Sequence, residues 1–254
     1  MDIDIKKRFE VLWARYFPGA ERPLAFYYTD EDPRDSADEP RSTPRCVIAG
    51  LKGVRKGQQL VIDASLEMCR GGLRFLGFKA ELRPEFAYFL SCGIPGKLEG
   101  ERYKKSPDVV REVMKSLPPF EAPARFAVFK RWEDLQNGDQ PEVFIFFATP
   151  DVLSGLFTLA NFDEVDLNGV ITPFGAGCAT IVHYPYLEGR SDHPRAVIGM
   201  FDISARPFVS PGELTFAVPM NKFLTMLDNM EESFLITKSW EKIRERMRAG
   251  RDTA

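Results

Sequence analysis

Apolar positions along the chain change period several times, and each change predicts an element. Ile5, Phe9, Leu12, Trp13 and Tyr16 recur at helical spacing, which predicts a helix over 3–17 stopped by Pro18-Gly19. Residues 24–29 read as a strand, and 30–45, rich in Asp, Glu and Pro, as a solvated loop. The apolar stretch 46–51 suits either a helix or a strand. A strand is expected over 59–64. Met68-Cys69-Arg70-Gly71-Gly72 reads as a turn feeding a short helix, and 84–92 as a helix stopped by Gly93 and Pro95. Ser106-Pro107-Asp108-Val109 and Thr149-Pro150-Asp151-Val152 are two helix starts of one type. Each has a hydroxyl at the N-cap, Pro at the first position and an acid in the first turn.

The second half continues the alternation. Strands are expected at 126–129 and 142–148, a helix at 151–160 and a strand at 169–172, a crossover whose strands should run parallel. Pro173-Phe174-Gly175-Ala176-Gly177-Cys178 turns into a short helix ended by Pro185. Strands at 196–201 and 214–218 follow. Phe223, Leu227, Met230 and Phe234 share a helix face, as do Trp240, Ile243 and Met247. The expected fold is α+β or mixed α/β, a mixed sheet with at least one parallel crossover unit, covered by helices. One domain should span 1–254. Helices 3–17 and 238–250 are flanking additions, packed outside the core or against a second copy in a homodimer.

Composition narrows the function classes. With 254 residues, 44% hydrophobic and 28% charged, the chain can bury a core, and its 21 Phe should dominate that core. A net charge of -3 leaves no domain-wide basic field, so nucleic acid is not an expected partner. The basic residues of the last helix, from Lys238 to Arg251, read as a solvated, cation-rich helix end. The acidic start, Met1-Asp2-Ile3-Asp4, carries no apolar leader. The run 143–148 is too short to cross a membrane, so a cytoplasmic protein is expected. Cys46, Cys69, Cys92 and Cys178 are then thiols or metal ligands rather than disulfides.

The chemistry concentrates on Gly-rich turns. Gly175-Ala176-Gly177-Cys178 leaves a strand and opens a helix. Its glycines admit close approach, and the helix-start N–H groups favour an anion or a thiolate. Cys178 is therefore the candidate catalytic thiol, with a pKa expected to fall. Arg70, Gly71, Gly72, Gly175, Ala176 and Gly177 are the candidate ligand-binding set. The same turns equally suit small buried cysteines that fill space. Cys92, near a helix end, suits packing. No Cys-x-x-Cys pair is present, so any zinc or iron–sulfur centre would draw its ligands from separate turns. Cys178 and His183 are five residues apart, about 140° around a helix, which keeps one metal from taking both. His183 reads as a satisfied, partly buried histidine. Asp202 with Arg206 reads as a structural ion pair.

These turns resemble an uncharacterised prokaryotic family, domain-of-unknown-function family 169. The resemblance runs through Pro23-Leu24-Ala25-Phe26-Tyr27, Cys46, Cys69-Arg70-Gly71-Gly72 with Leu76-Gly77-Phe78, Gly175-Ala176-Gly177-Cys178 and Phe216-Ala217-Val218-Pro219. The family's third turn often has adjacent cysteines where this chain has Cys178-Ala179. The resemblance covers about 22–235, implies a whole-domain fold, groups Cys46, Cys69 and Cys178, and sets Cys92 apart. Three readings stay open: a zinc or iron–sulfur centre on Cys46, Cys69 and Cys178; a metal-free site for a small anion between the turns at Cys69 and Cys178; and thiol redox chemistry at Cys178.

Overall fold

The computed structural model describes residues 1–33, 45–117 and 120–249. Among them, seven strands form one sheet. They are β1 (Leu24–Thr29), β2 (Leu60–Ile62), β3 (Phe126–Arg131), β4 (Val143–Ala148), β5 (Val170–Ile171), β6 (Ala196–Gly199) and β7 (Leu214–Pro219). Their spatial order is β2-β3-β1-β4-β7-β6-β5. Neighbours are antiparallel except β5 and β6. The crossover from β4 to β5 does join parallel strands, but β7 and β6 come to lie between them. Most of the acidic loop read over 30–45 lies outside the described residues.

Strand β4 is the sheet's centre, and all six of its residues are buried. The period-2 alternation of a strand sends Phe144, Phe146 and Ala148 into one core and Val143, Ile145 and Phe147 into the other. Helices accordingly cover both faces. On the first face lie α1 (Ile3–Tyr16), α6 (Pro150–Ala160), α8 (Met220–Asn229) and α9 (Lys238–Ala249). On the second lie α2 (Val47–Val54), α3 (Arg70–Phe75) and a helical segment ending in α7 (Tyr184–Glu188). Between α3 and β3 the chain leaves the sheet and forms α4 (Phe86–Phe89) and α5 (Pro107–Ser116).

Several elements differ from the sequence pattern, each for a local reason. The helix expected over 84–92 is one turn long, because Glu85 takes a left-handed conformation at φ 62° and breaks any helix upstream of Phe86. The Ser106 hydroxyl accepts from the Val109 N–H at 3.4 Å, whereas Thr149 makes no such cap bond. Pro185 does not end its helix. A wide π-type turn over Ala179–His183 runs directly into α7, and Pro185 sits at its start. The missing proline N–H therefore falls where the backbone ladder changes register.

The terminal helices are not outside the core. Phe9 and Trp13 of α1 pack on Trp132, Phe146 and Phe223. Trp240 of α9 lies edge-on to Phe17 and Phe234, and its indole N–H donates to the Tyr16 carbonyl at 2.9 Å. Among the described residues no helix is long and apolar enough to cross a membrane. Because Trp240 is 2% exposed, Trp240→Ala should lower the unfolding free energy by about 3–5 kcal/mol in urea titration. A loss below about 1 kcal/mol would make α9 an appendage.

Candidate functional site

The three grouped cysteines meet at one cavity of about 540 Å³ on the second face of the sheet. Cys46 is the N-cap of α2 and Cys69 the N-cap of α3. Cys178 lies at the start of the segment that leads into the π-type turn. Two glycines allow this convergence. A Cβ on Gly177 would stand 3.1 Å from Ile48 Cγ1 and 3.2 Å from both Ala205 Cβ and Met200 Sδ. A Cβ on Gly72 would stand 3.0 Å from Val47 Cγ2. The expected close approach at these glycines is thus made by the protein's own segments.

The helix start at Gly177 is already capped. Asp202 Oδ2 accepts the Gly177 N–H at 3.0 Å, while Oδ1 accepts the Ser204 N–H at 3.0 Å and the Ser204 hydroxyl at 2.7 Å. Buried Met200, left-handed at φ 71°, turns the chain out of β6 into this loop. Arg206 does not pair with Asp202; it donates instead to the carbonyls of Ser210, Pro211 and Glu213. The expected lowering of the Cys178 pKa is overturned for the same reasons. Burial pushes this thiol well up, the nearby Cys69, Cys46 and Asp202 add to the rise, and the backbone N–H of Cys178 itself offsets only a small part of it.

The outer wall comes from residues 79–117, a region that sequence reading left without a role. Phe86, Phe89 and Leu90 of the α4 region, and Val110, Val113, Met114 and Leu117 of the α5 region, face the cavity. The readable signal was there: 110, 113, 114 and 117 follow helical spacing. Only Ser91, Gly93 and Val110 in this wall are fully buried. Tyr103 also lines the cavity. Its hydroxyl is buried beside Ser204 and Glu101 without a well-formed hydrogen bond, and burial raises its pKa.

Charge is arranged at the edge of this apolar space. Arg70 is exposed and makes no ion pair among the described residues. Lys104 Nζ lies 4.1 Å from the Phe174 ring centre, and the Arg83 guanidinium 4.4 Å from that of Phe89. Phe174, Phe201 and Ile203 expose apolar surface beside them. Gly71, Gly175 and Ala176 are lining residues as well. Cys92 stands apart, in a second hollow of about 490 Å³ formed by the 92–102 loop. Among the described residues, no three His, Cys, Asp or Glu side chains are disposed to hold a metal ion.

His183 lies beneath this site rather than in it. It is buried among Phe75, Phe120 and Tyr184, and neither ring nitrogen has a hydrogen-bond partner among the described residues. It is therefore not the satisfied histidine that the sequence suggested. Burial, with a smaller contribution from Arg74, lowers its pKa from 6.5 to about 4.

Residues 19–229 match the model of DUF169, a family described as uncharacterised ArCR. The chain belongs to this family. No curated protein and no solved structure matches it. Family membership covers all three cysteine turns and the outer wall of the cavity, and brings no reaction with it.

Two measurements probe this geometry. The unfolded chain takes up a proton at His183 before the folded one does, so stability is complete above about pH 6.5 and falls as pH drops toward 4. The loss should be on the order of 3 kcal/mol. His183→Phe should remove that share of the pH dependence in urea titrations, and an unchanged slope would contradict it. Iodoacetamide should label exposed Cys69 in the native protein and reach Cys178 fully only after denaturation. Equal native rates would mean that Cys178 is open to solvent.

Proposed function

We propose that the chain binds a small amphipathic organic anion, such as a medium-chain carboxylate, without a metal. What supports this reading is a cavity of about 540 Å³ whose wall is mainly aliphatic and aromatic and whose edge carries Arg70, exposed and without an ion pair among the described residues. Ligand pockets commonly span about 300–1,000 Å³, with few polar groups in a mostly apolar lining. The apolar body would lie against Phe86, Phe89, Val113 and Met114. Its charged end would face Arg70, with Lys104 and Arg83 adding positive charge.

In this reading Gly71, Gly72, Gly175 and Ala176 form the floor, and Gly177 serves packing. Cys178, an uncharged and buried thiol, is a wall residue. The Tyr103 hydroxyl, buried beside Ser204 and Glu101, is placed to share a hydrogen bond with a polar atom of the ligand.

Calorimetric titration with decanoate and decanol tests this directly. Both should bind, and Arg70→Gln should weaken decanoate about tenfold while leaving decanol unchanged. Met114→Trp, which fills the cavity, should abolish both. Binding of neither ligand, or an Arg70→Gln effect equal for the two, would overturn the proposal.

A second reading keeps Cys46, Cys69 and Cys178 as ligands of zinc or an iron–sulfur centre. One observation favours it, the meeting of all three thiols at one cavity. The lack of a preformed metal-holding group among the described residues weighs against it. Metal analysis and an absorption spectrum of protein purified without oxygen decide it, and substoichiometric zinc and iron would remove it.

A further inference from the structure

Cys46 and Cys69 sit in a matched arrangement to which the anion-binding reading gives no role. Each is the N-cap of a helix, each has an extended ψ (135° and 121°), and neither side chain makes a cap hydrogen bond. Their backbones are tied together, since the Cys69 N–H donates to the Arg45 carbonyl at 2.9 Å. Standard peptide dimensions put that carbonyl oxygen about 2.8 Å from the Cys46 Cα. The two Cα atoms are therefore held within about 7 Å, against the roughly 4.4–6.8 Å that a disulfide spans. Contact between Gly72 and Val47 fixes the two helix starts against each other from a second side. Both thiols face the same cavity, Cys69 exposed and Cys46 half-buried.

We infer that Cys46 and Cys69 are a dithiol pair that closes reversibly to a disulfide when hydrogen peroxide reaches the cavity mouth. The exposed Cys69 sulfur attacks one peroxide oxygen, the O–O bond breaks and a first water leaves, giving a sulfenic acid. The Cys46 sulfur then attacks the Cys69 sulfur. The S–S bond forms, the S–O bond breaks, and the hydroxyl leaves with the Cys46 proton as a second water. Two thiols are oxidised and one peroxide is reduced. Cys178 is buried and held by the packing of Gly177 against Ile48, Ala205 and Met200, so it stays a thiol. Cys92 lines the other hollow and has no thiol partner there. The inference does not depend on the identity of the bound anion, because no group of the proposed ligand takes part.

Stoichiometric hydrogen peroxide, followed by denaturing alkylation and peptide mass spectrometry, tests it on the full chain. The four thiols should fall to two, with one intrachain bridge joining the peptides that hold Cys46 and Cys69. Dithiothreitol should restore all four. Phenylarsine oxide, which requires two adjacent thiols, should bind the reduced protein with a stoichiometry of one and protect it from peroxide. Cys46→Ser and Cys69→Ser should each abolish the bridge and the arsenical binding, and Cys92→Ser should change neither. A bridge involving Cys178 or Cys92, four surviving thiols, or arsenical binding retained in Cys46→Ser would overturn the inference. Because the mapping is done on the unaltered protein, misfolding of a variant cannot decide the outcome.

Discussion

The site rests on one steric constraint, the approach of three segments whose side chains fill the space beside Gly177 and leave little room for a Cβ there. Ile48 of α2, Ala205 of the loop after β6 and the start of the 177–188 helical segment share space that a single Cβ on Gly177 would crowd. Gly72 does the same for α3 against Val47. Interiors pack at near-crystalline density, so a methyl at such a junction moves its neighbours. From this closeness follow the meeting of Cys46, Cys69 and Cys178 and the placing of Asp202 over the Gly177 N–H. The glycines are structural first, and the cavity is a consequence of how they let the segments lie.

Electrostatics at the site follow from the same packing. An N-terminal helix dipole ought to lower a thiol pKa, yet at Cys178 burial outweighs the backbone N–H that lowers it, and the nearby Asp202 carboxylate adds to the rise. Positive charge without an ion pair among the described residues sits further out, on Arg70, Arg83 and Lys104, where solvent lowers the cost of leaving it so. An apolar interior with cations at its rim suits a molecule that is hydrophobic at one end.

Much of this was legible in the sequence where the signal is local. The strand 24–29 was read with its observed ends, and the apolar run 142–148 was read to within one residue of β4. The grouping of Cys46, Cys69 and Cys178 came from the family resemblance and from the placing of all three in loops or turns. What failed was what local pattern does not encode. Nothing near Pro185 announces that a π-type turn upstream will absorb its missing N–H. Nothing near Trp240 says that Tyr16, more than two hundred residues earlier, supplies its acceptor. The cavity's outer wall escaped notice because Tyr103 and Met114 acquire a role only when the 79–117 excursion folds back over the Cys178 turn.

That excursion has a consequence for how the molecule breathes. The inner wall leans on a seven-stranded sheet whose central strand is wholly buried, while the outer wall hides only Ser91, Gly93 and Val110 from solvent. Free energies of local opening track such burial. Amide hydrogens of the 79–117 wall should therefore exchange at a lower opening cost than those of the sheet. The cavity lies on the seam between the most and the least cohesive parts of the fold, so whatever fills it would act as mortar for that wall.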